Sequence, residues 1–181
     1  IKKGWFGKVY GGMGTNHHYE AGAIANIYRD TLQVSLLGFS NNVNRSGFTF
    51  QDVQNLGGFN RSGVSSMSIS KNAGNVGFAI NGISFGGIES GVSTSTGGGI
   101  NINHAPSSKF SLFAQYFIGK NLNQLSQSSS VQQYLGDTTI SSQAQTITEK
   151  PALTHSVHFG TAYKPNSGTT IDFKGTLSFI D

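Results

Sequence analysis

The sequence predicts an all-β chain, an antiparallel up-and-down meander of about seven strands. Three observations carry that prediction. Apolar and polar residues alternate with period 2 in segment after segment. The plainest case is 169–181, where Ile171, Phe173, Leu177 and Phe179 are interleaved with Asp172, Lys174, Thr176 and Ser178. This period puts one greasy row and one wet row on opposite faces of a strand. The connections also sort by length: 29–31, 104–108 and 164–168 are short, whereas 42–90 and 121–151 are long. Finally, only 11% of residues are charged, against about 25% in an ordinary domain. Short turns on one rim, long loops on the other and strands of about 9–11 residues form the pattern of a sheet that crosses an outer membrane. The meander is therefore read as an arc of a transmembrane outer-membrane β-barrel, with lipid against its greasy face.

The strands are expected at about 4–14, 19–29, 32–41, 91–103, 109–120, 152–164 and 169–181. The first opens on Trp5 and Phe6 and is softened by glycines. In the second, Ala21, Ala23, Ala25 and Ile27 share one face. The third sets Leu32, Val34 and Leu36 against Gln33 and Ser35, and the tight break at Arg29-Asp30-Thr31 joins the two as a hairpin. The stretch 42–90 then breaks the rhythm with Asn, Ser and Gly. Within it, 50–56 suits a short helical turn, and Phe78 and Ile80 face Ile83 and Phe85 across Asn81-Gly82, a strong hairpin signal. Alternation returns with Ile100 and Ile102 between Asn101 and Asn103. It continues with Phe110, Leu112, Ala114, Tyr116 and Ile118 against Ser111 and Gln115, then with Leu153, Val157, Phe159 and Tyr163. The stretches 42–90 and 121–151 are expected as long extracellular loops. Trp5, Phe6, Tyr28, Phe110 and Tyr163 fall near strand ends at the short-turn rim, where an aromatic girdle would sit.

Composition excludes several functions. The formal charge is +4, but the twelve Lys and Arg are scattered, with no basic run that would track phosphate, so no nucleic-acid partner is expected. The absence of cysteine removes disulfides, thiolate metal sites and cysteine nucleophiles. No apolar run reaches the length of a membrane helix. Thirteen Phe and six Tyr argue against disorder. No signal peptide opens the chain, so a mature form or a piece of a longer chain is expected.

Residues 4–53 carry a more specific pattern: Gly4, Gly7, Gly12 and Gly14, then Tyr19-Glu20-Ala21-Gly22, then Asn41, Asn42 and Asn44. This stretch resembles the early barrel of the TonB-dependent outer-membrane receptors of Bacteroidetes-type bacteria. The resemblance implies a larger barrel in the cell outer membrane, of which this chain is an internal segment. It further implies an N-terminal plug domain and coupling to TonB through the parent chain. The implied activity is uptake of a large or scarce nutrient, with a surface lipoprotein as a further partner.

The functional residues expected on this reading are ligand-contacting loop aromatics, Phe48, Phe50 and Tyr134, and a lumen-facing polar set, Lys8, Glu20, Asn101, Gln115, Asp172 and Lys174. Asp172 and Lys174 share a face and are expected to pair, as are Lys8 and Glu20 across neighbouring strands. His17-His18 is read as a polar turn, and His155 and His158, three apart on a strand, as residues on opposite faces. Asp52 has no base or nucleophile at a motif spacing, and Gly97-Gly98-Gly99 lacks the Lys-Ser/Thr of a phosphate loop. No enzyme activity, cofactor or metal is expected. Two other readings remain open at this point: a non-transporting barrel, such as an adhesin or assembly component, and a soluble β-sandwich binding module whose greasy faces would pack together.

Overall fold

One antiparallel sheet dominates the chain, built by strands that follow each other in space as they do in sequence. The computed structural model describes residues 3–44, 48–58, 67–72, 75–80, 83–85 and 91–181. Strands β1 (Lys3–Met13), β2 (Tyr19–Arg29) and β3 (Leu32–Asn41) come first. The helix α1 (Phe50–Leu56) and the strands β4 (Met67–Asn72), β5 (Asn75–Ile80) and β6 (Ile83–Phe85) follow. The chain then returns as β7 (Val92–Ser107), β8 (Phe110–Leu135), β9 (Thr138–Asn166) and β10 (Thr169–Ile180). The large sheet has the order β1-β2-β3-β7-β8-β9-β10, and β4-β5-β6 form a second, three-stranded sheet. All pairings are antiparallel, so the fold is all-β and up-and-down. Among the described residues the large sheet stays open, with β1 and β10 as its edges.

The expected turn at Asp30-Thr31 forms, with Asp30 at φ 52. The stretch 121–151, expected as a loop, is instead strand on both sides of a two-residue turn at Gly136-Asp137. The register of β8 with β9 runs unbroken from Asn123↔Lys150 to Leu135↔Thr138, which makes a ribbon about 40 Å long at about 3.4 Å per residue. A two-residue turn closes it. Gly136 takes φ 58 there, which suits the first central position of a type II′ turn, where glycine carries no Cβ penalty. Ser, Gln and Thr dominate this ribbon, and with both faces in water they leave no greasy row to betray a strand. The Asn81-Gly82 turn lies outside the described residues, but the strands beside it pair with Ile80 opposite Ile83.

The two faces of the large sheet are inverted relative to a water-soluble domain. On the concealed face, Gln33, Ser35, Asn41, Ser93, Ser95, Asn101, Asn103, Gln115, Ser156 and His158 are all buried. On the open face, Leu36 (48% exposed), Ile27, Tyr116, Phe159, Phe173 (61%), Leu177 and Phe179 are exposed. No second sheet covers that apolar face among the described residues; the small sheet and α1 lie on the polar side. Along β8 the open-face row is Leu112, Ala114, Tyr116 and Ile118 up to Lys120. Beyond it the same row reads Leu122, Gln124, Ser126, Ser128, Ser130 and Gln132. The apolar band therefore has an upper boundary. Hydroxyls mark the same level on neighbouring strands: Tyr19 OH lies 3.2 Å from Ser40 Oγ, which lies 2.8 Å from Thr96 Oγ1, and Thr96 sits opposite Lys120.

The glycines inside the strands have a packing role. Gly22, Gly97, Gly99, Gly160 and Gly175 each sit directly opposite an aromatic: Tyr10, Phe39, Phe117, Phe113 and Phe159 respectively. In every pair the ring lies over the glycine so closely that an added Cβ would meet ring atoms at less than 3.0 Å. Rings that fold flat over glycine backbone fill the missing side chain and pin the register. Of the five aromatics expected at the short-turn rim, Trp5 (86% exposed) and Tyr163 stand on the open face, and Phe110 shares that row. Phe6 and Tyr28 lie on the other face, stacked with ring centroids 5.4 Å apart.

Candidate functional site

The polar face is the part of the sheet that faces something built to meet it, and that something is the chain's own excursion between β3 and β7. Asparagines hold the neck of the excursion. Asn42 accepts from the Tyr19 backbone N–H at 2.7 Å and donates to the His17 carbonyl at 3.0 Å, while Asn44 donates to the Gly91 carbonyl and accepts from the Ser93 backbone N–H. Two of the asparagines in the motif of residues 41–44 thus tie the start of the excursion to the strands on either side.

Past the neck, Phe48 drops edge-on against Tyr10, with ring centroids 4.8 Å apart. Thr49 then caps α1. Its hydroxyl accepts from the Asp52 backbone N–H at 3.0 Å, and the Asp52 carboxylate accepts from the Thr49 backbone N–H at 2.9 Å, a reciprocal capping box. The same carboxylate takes a 2.7 Å hydrogen bond from Lys8 Nζ on β1. Partial burial pushes the Asp52 carboxyl up, but the hydrogen bonds from Lys8 and Thr49 outweigh it and hold the group below its ordinary value.

Beyond α1, three side-chain amides grip three consecutive backbone carbonyls. Asn26 donates to Leu56 O at 2.8 Å, Asn101 to Gly57 O at 2.6 Å, and Asn103 to Gly58 O at 3.2 Å. Gly58 takes φ 79, and a Cβ on it would lie 3.0 Å from Asn101, Asn103 and Ser35, so both backbone and space call for glycine there. Nearby, Asn26 Oδ1, Gln33 Oε1 and Ser35 Oγ are buried without a hydrogen-bond partner among the described residues. Above this clamp an apolar cluster seals the excursion to the wall. It joins Ile24, Leu37, Phe39 and Phe117 of the sheet to Phe48, Val53, Phe78, Ile80 and Phe85 of the excursion. A cavity of about 420 Å³ opens at the short-turn rim beside Asn103, between Asp30-Thr31 and Leu112-Phe113.

The residues expected to matter scatter across this picture. Phe48 is 2% exposed and belongs to the apolar cluster, and Phe50 is half-buried with its ring edge-on to Phe78. Neither is a free loop aromatic, because the excursion folds onto the wall and not away from it. Tyr134 stands near the tip of the ribbon, 71% exposed, with its hydroxyl on Gln132. Asn101 and Gln115 are buried in the polar wall. Lys8 meets Asp52 and not Glu20, because the register puts Gly12 opposite Glu20 and Ile24 opposite Lys8. Asp172 and Lys174 share the polar face of β10, but no ion pair joins them among the described residues. His155 and His158 do lie on opposite faces: His155 bonds the Tyr116 hydroxyl, and His158 bonds Ser156 and Thr176. Sequence reasoning missed Asn26 and Asn103 as contacts to the excursion, although the alternation already placed asparagine on the wet row.

No family model, curated protein or solved structure matches this chain.

Proposed function

We propose that the chain is an arc of an outer-membrane β-barrel, completed by further strands along its two open edges, and that it serves as a receptor for uptake. The observation that supports this most is the inverted sheet, with a largely polar wall concealed and a continuous band of Leu, Ile, Val, Phe and Ala left bare. In water such a face would be a large aggregation hazard, and so would the unpaired edges of β1 and β10. In lipid the face is satisfied, and closure removes the edges. The band has the right height. From Arg29 to Tyr19 on β2 is ten residues, about 34 Å of strand, which is roughly 25 Å tall at a barrel tilt of about 40°. Lys3 and Arg29 bound it below, and the row Tyr19, Ser40, Thr96 and Lys120 bounds it above.

The receptor reading, with an N-terminal plug and TonB as partners in the parent chain, draws on the glycine, Tyr-Glu-Ala-Gly and asparagine pattern of residues 4–53. On this reading the ribbon of β8 and β9 projects from the cell surface, with Tyr134 available to a nutrient or a surface lipoprotein. Fractionation of cells expressing the full-length protein tests the barrel. The protein should sediment with the outer membrane and migrate faster on SDS gels unboiled than boiled. Recovery in a water-soluble fraction, with no mobility shift, would refute it.

A further inference from the structure

The grip on residues 56–58 has the chemistry of a recognition site. Three amide donors on two strands, Asn26, Asn101 and Asn103, take three successive main-chain carbonyls. The wall around them is neutral, and the buried, unpartnered Gln33 Oε1, Asn26 Oδ1 and Ser35 Oγ supply acceptor positions of the kind a backbone N–H would fill. Donors and acceptors side by side on a neutral wall match the alternating C=O and N–H of a peptide main chain better than they match an ion. We infer that this part of the polar wall is a binding site for peptide backbone, and that the segment 49–58 is its built-in occupant, fastened at its other end by Lys8 on Asp52. The site then takes an uncharged, glycine-containing peptide from outside only when the built-in segment leaves it. The inference rests on the barrel reading, since that reading makes the wall a lumen surface that solutes reach.

The test uses the full-length protein in intact cells, with Ser35→Cys as reporter. Ser35 is buried against Gly58, and this chain has no cysteine of its own. A membrane-impermeant maleimide should label Cys at this position slowly in the otherwise native protein. With Asn101→Ala and Asn103→Ala added, labelling should rise about 30-fold, the ratio equivalent to roughly 2 kcal/mol for two lost amide–carbonyl bonds. Replacing residues 48–58 with a Gly-Ser linker should speed it further. The free peptide spanning residues 49–58, added in excess, should then return labelling toward the native rate. Fast labelling of the native protein, or no change in the double variant, overturns the built-in occupant. Failure of the peptide to protect the linker variant, or protection by a neutral oligosaccharide in its place, overturns backbone recognition. If the linker variant does not assemble, the double variant decides alone. Heat-modifiable migration, followed in every variant, separates these outcomes from failure of the barrel reading, which would show as its loss in the native protein.

Discussion

An arginine at position 36 separates a membrane face from an exposed surface in water. Leu36 is 48% exposed on the open face of β3. Ser40, in the hydroxyl row, lies four residues away in one direction, and Leu32, the first residue of β3, lies four away in the other. Four residues are about 13 Å of strand, or roughly 10 Å of depth at a barrel tilt of about 40°, so the proposed barrel would put Leu36 within a few Å of the midplane. Arginine at that depth costs about 2–4 kcal/mol in a transmembrane barrel. In a soluble protein a half-exposed leucine tolerates arginine within about 0.5 kcal/mol. Val131 on the ribbon is 58% exposed but lies beyond the boundary, so Val131→Arg is the matched control. Urea unfolding of the full-length protein refolded into lipid vesicles, followed by the heat-modifiable band, measures both. The expected losses are about 3 kcal/mol for Leu36→Arg and under about 0.5 kcal/mol for Val131→Arg. Equal, near-zero losses would refute the assignment of the open face to lipid.

Three further outcomes are expected. Gly99→Ala should destabilise by about 1–3 kcal/mol, because the new methyl overlaps the buried Phe117 ring, and Phe117→Leu in the same chain should recover part of the loss in the same urea titration. The Asp52 carboxyl is held below its ordinary value, so its contribution to docking α1 is complete above the ordinary carboxylate range and is lost as pH falls through the lowered value. Hydrogen exchange at the Val53 and Gly57 amides, bonded to Thr49 O and Val53 O, should therefore stay protected at neutral pH and loosen only below about pH 4; Asp52→Asn should weaken protection at neutral pH and remove that dependence. Replacing residues 125–148 by a two-residue Asn-Gly turn should leave outer-membrane assembly and heat modifiability unchanged, since the ribbon rises clear of the band; loss of assembly would place its strands within the membrane.

Much of the large sheet was legible because its rule is local. Period 2 places Leu32, Val34 and Leu36 on one face and Gln33 and Ser35 on the other wherever the strand goes, and a two-residue break such as Asp30-Thr31 leaves only a hairpin. The ribbon was illegible because its strands lack a greasy row. Without contrast between faces, Ser, Gln and Thr read as loop, and the turn at Gly136-Asp137 went unread with them. Phe48 and Phe50 were placed on an outer loop because nothing in their neighbourhood says which way an excursion folds. That direction comes from long-range partners, Tyr10 for Phe48 and Phe78 for Phe50, and from the asparagines across the sheet. Lys8 was matched to Glu20 by proximity in sequence pattern, but the register shifts Glu20 to Gly12, and the true partner Asp52 lies on another element. The glycine spacing was visible throughout; its reason, an aromatic opposite each of five glycines, needed the register.

Residues 32–41 allow the most direct test of the inverted sheet, through a nitroxide placed at each position in turn in the full-length protein in lipid vesicles. Collision with oxygen, which concentrates in lipid, and with a water-soluble nickel complex reports what each side chain meets. Lipid against the open face gives oxygen-dominated collisions at 32, 34, 36 and 38 and their loss at 33, 35, 37 and 39, a strict period of 2. Nickel-dominated collisions at 34 and 36 would place that face in water and contradict it.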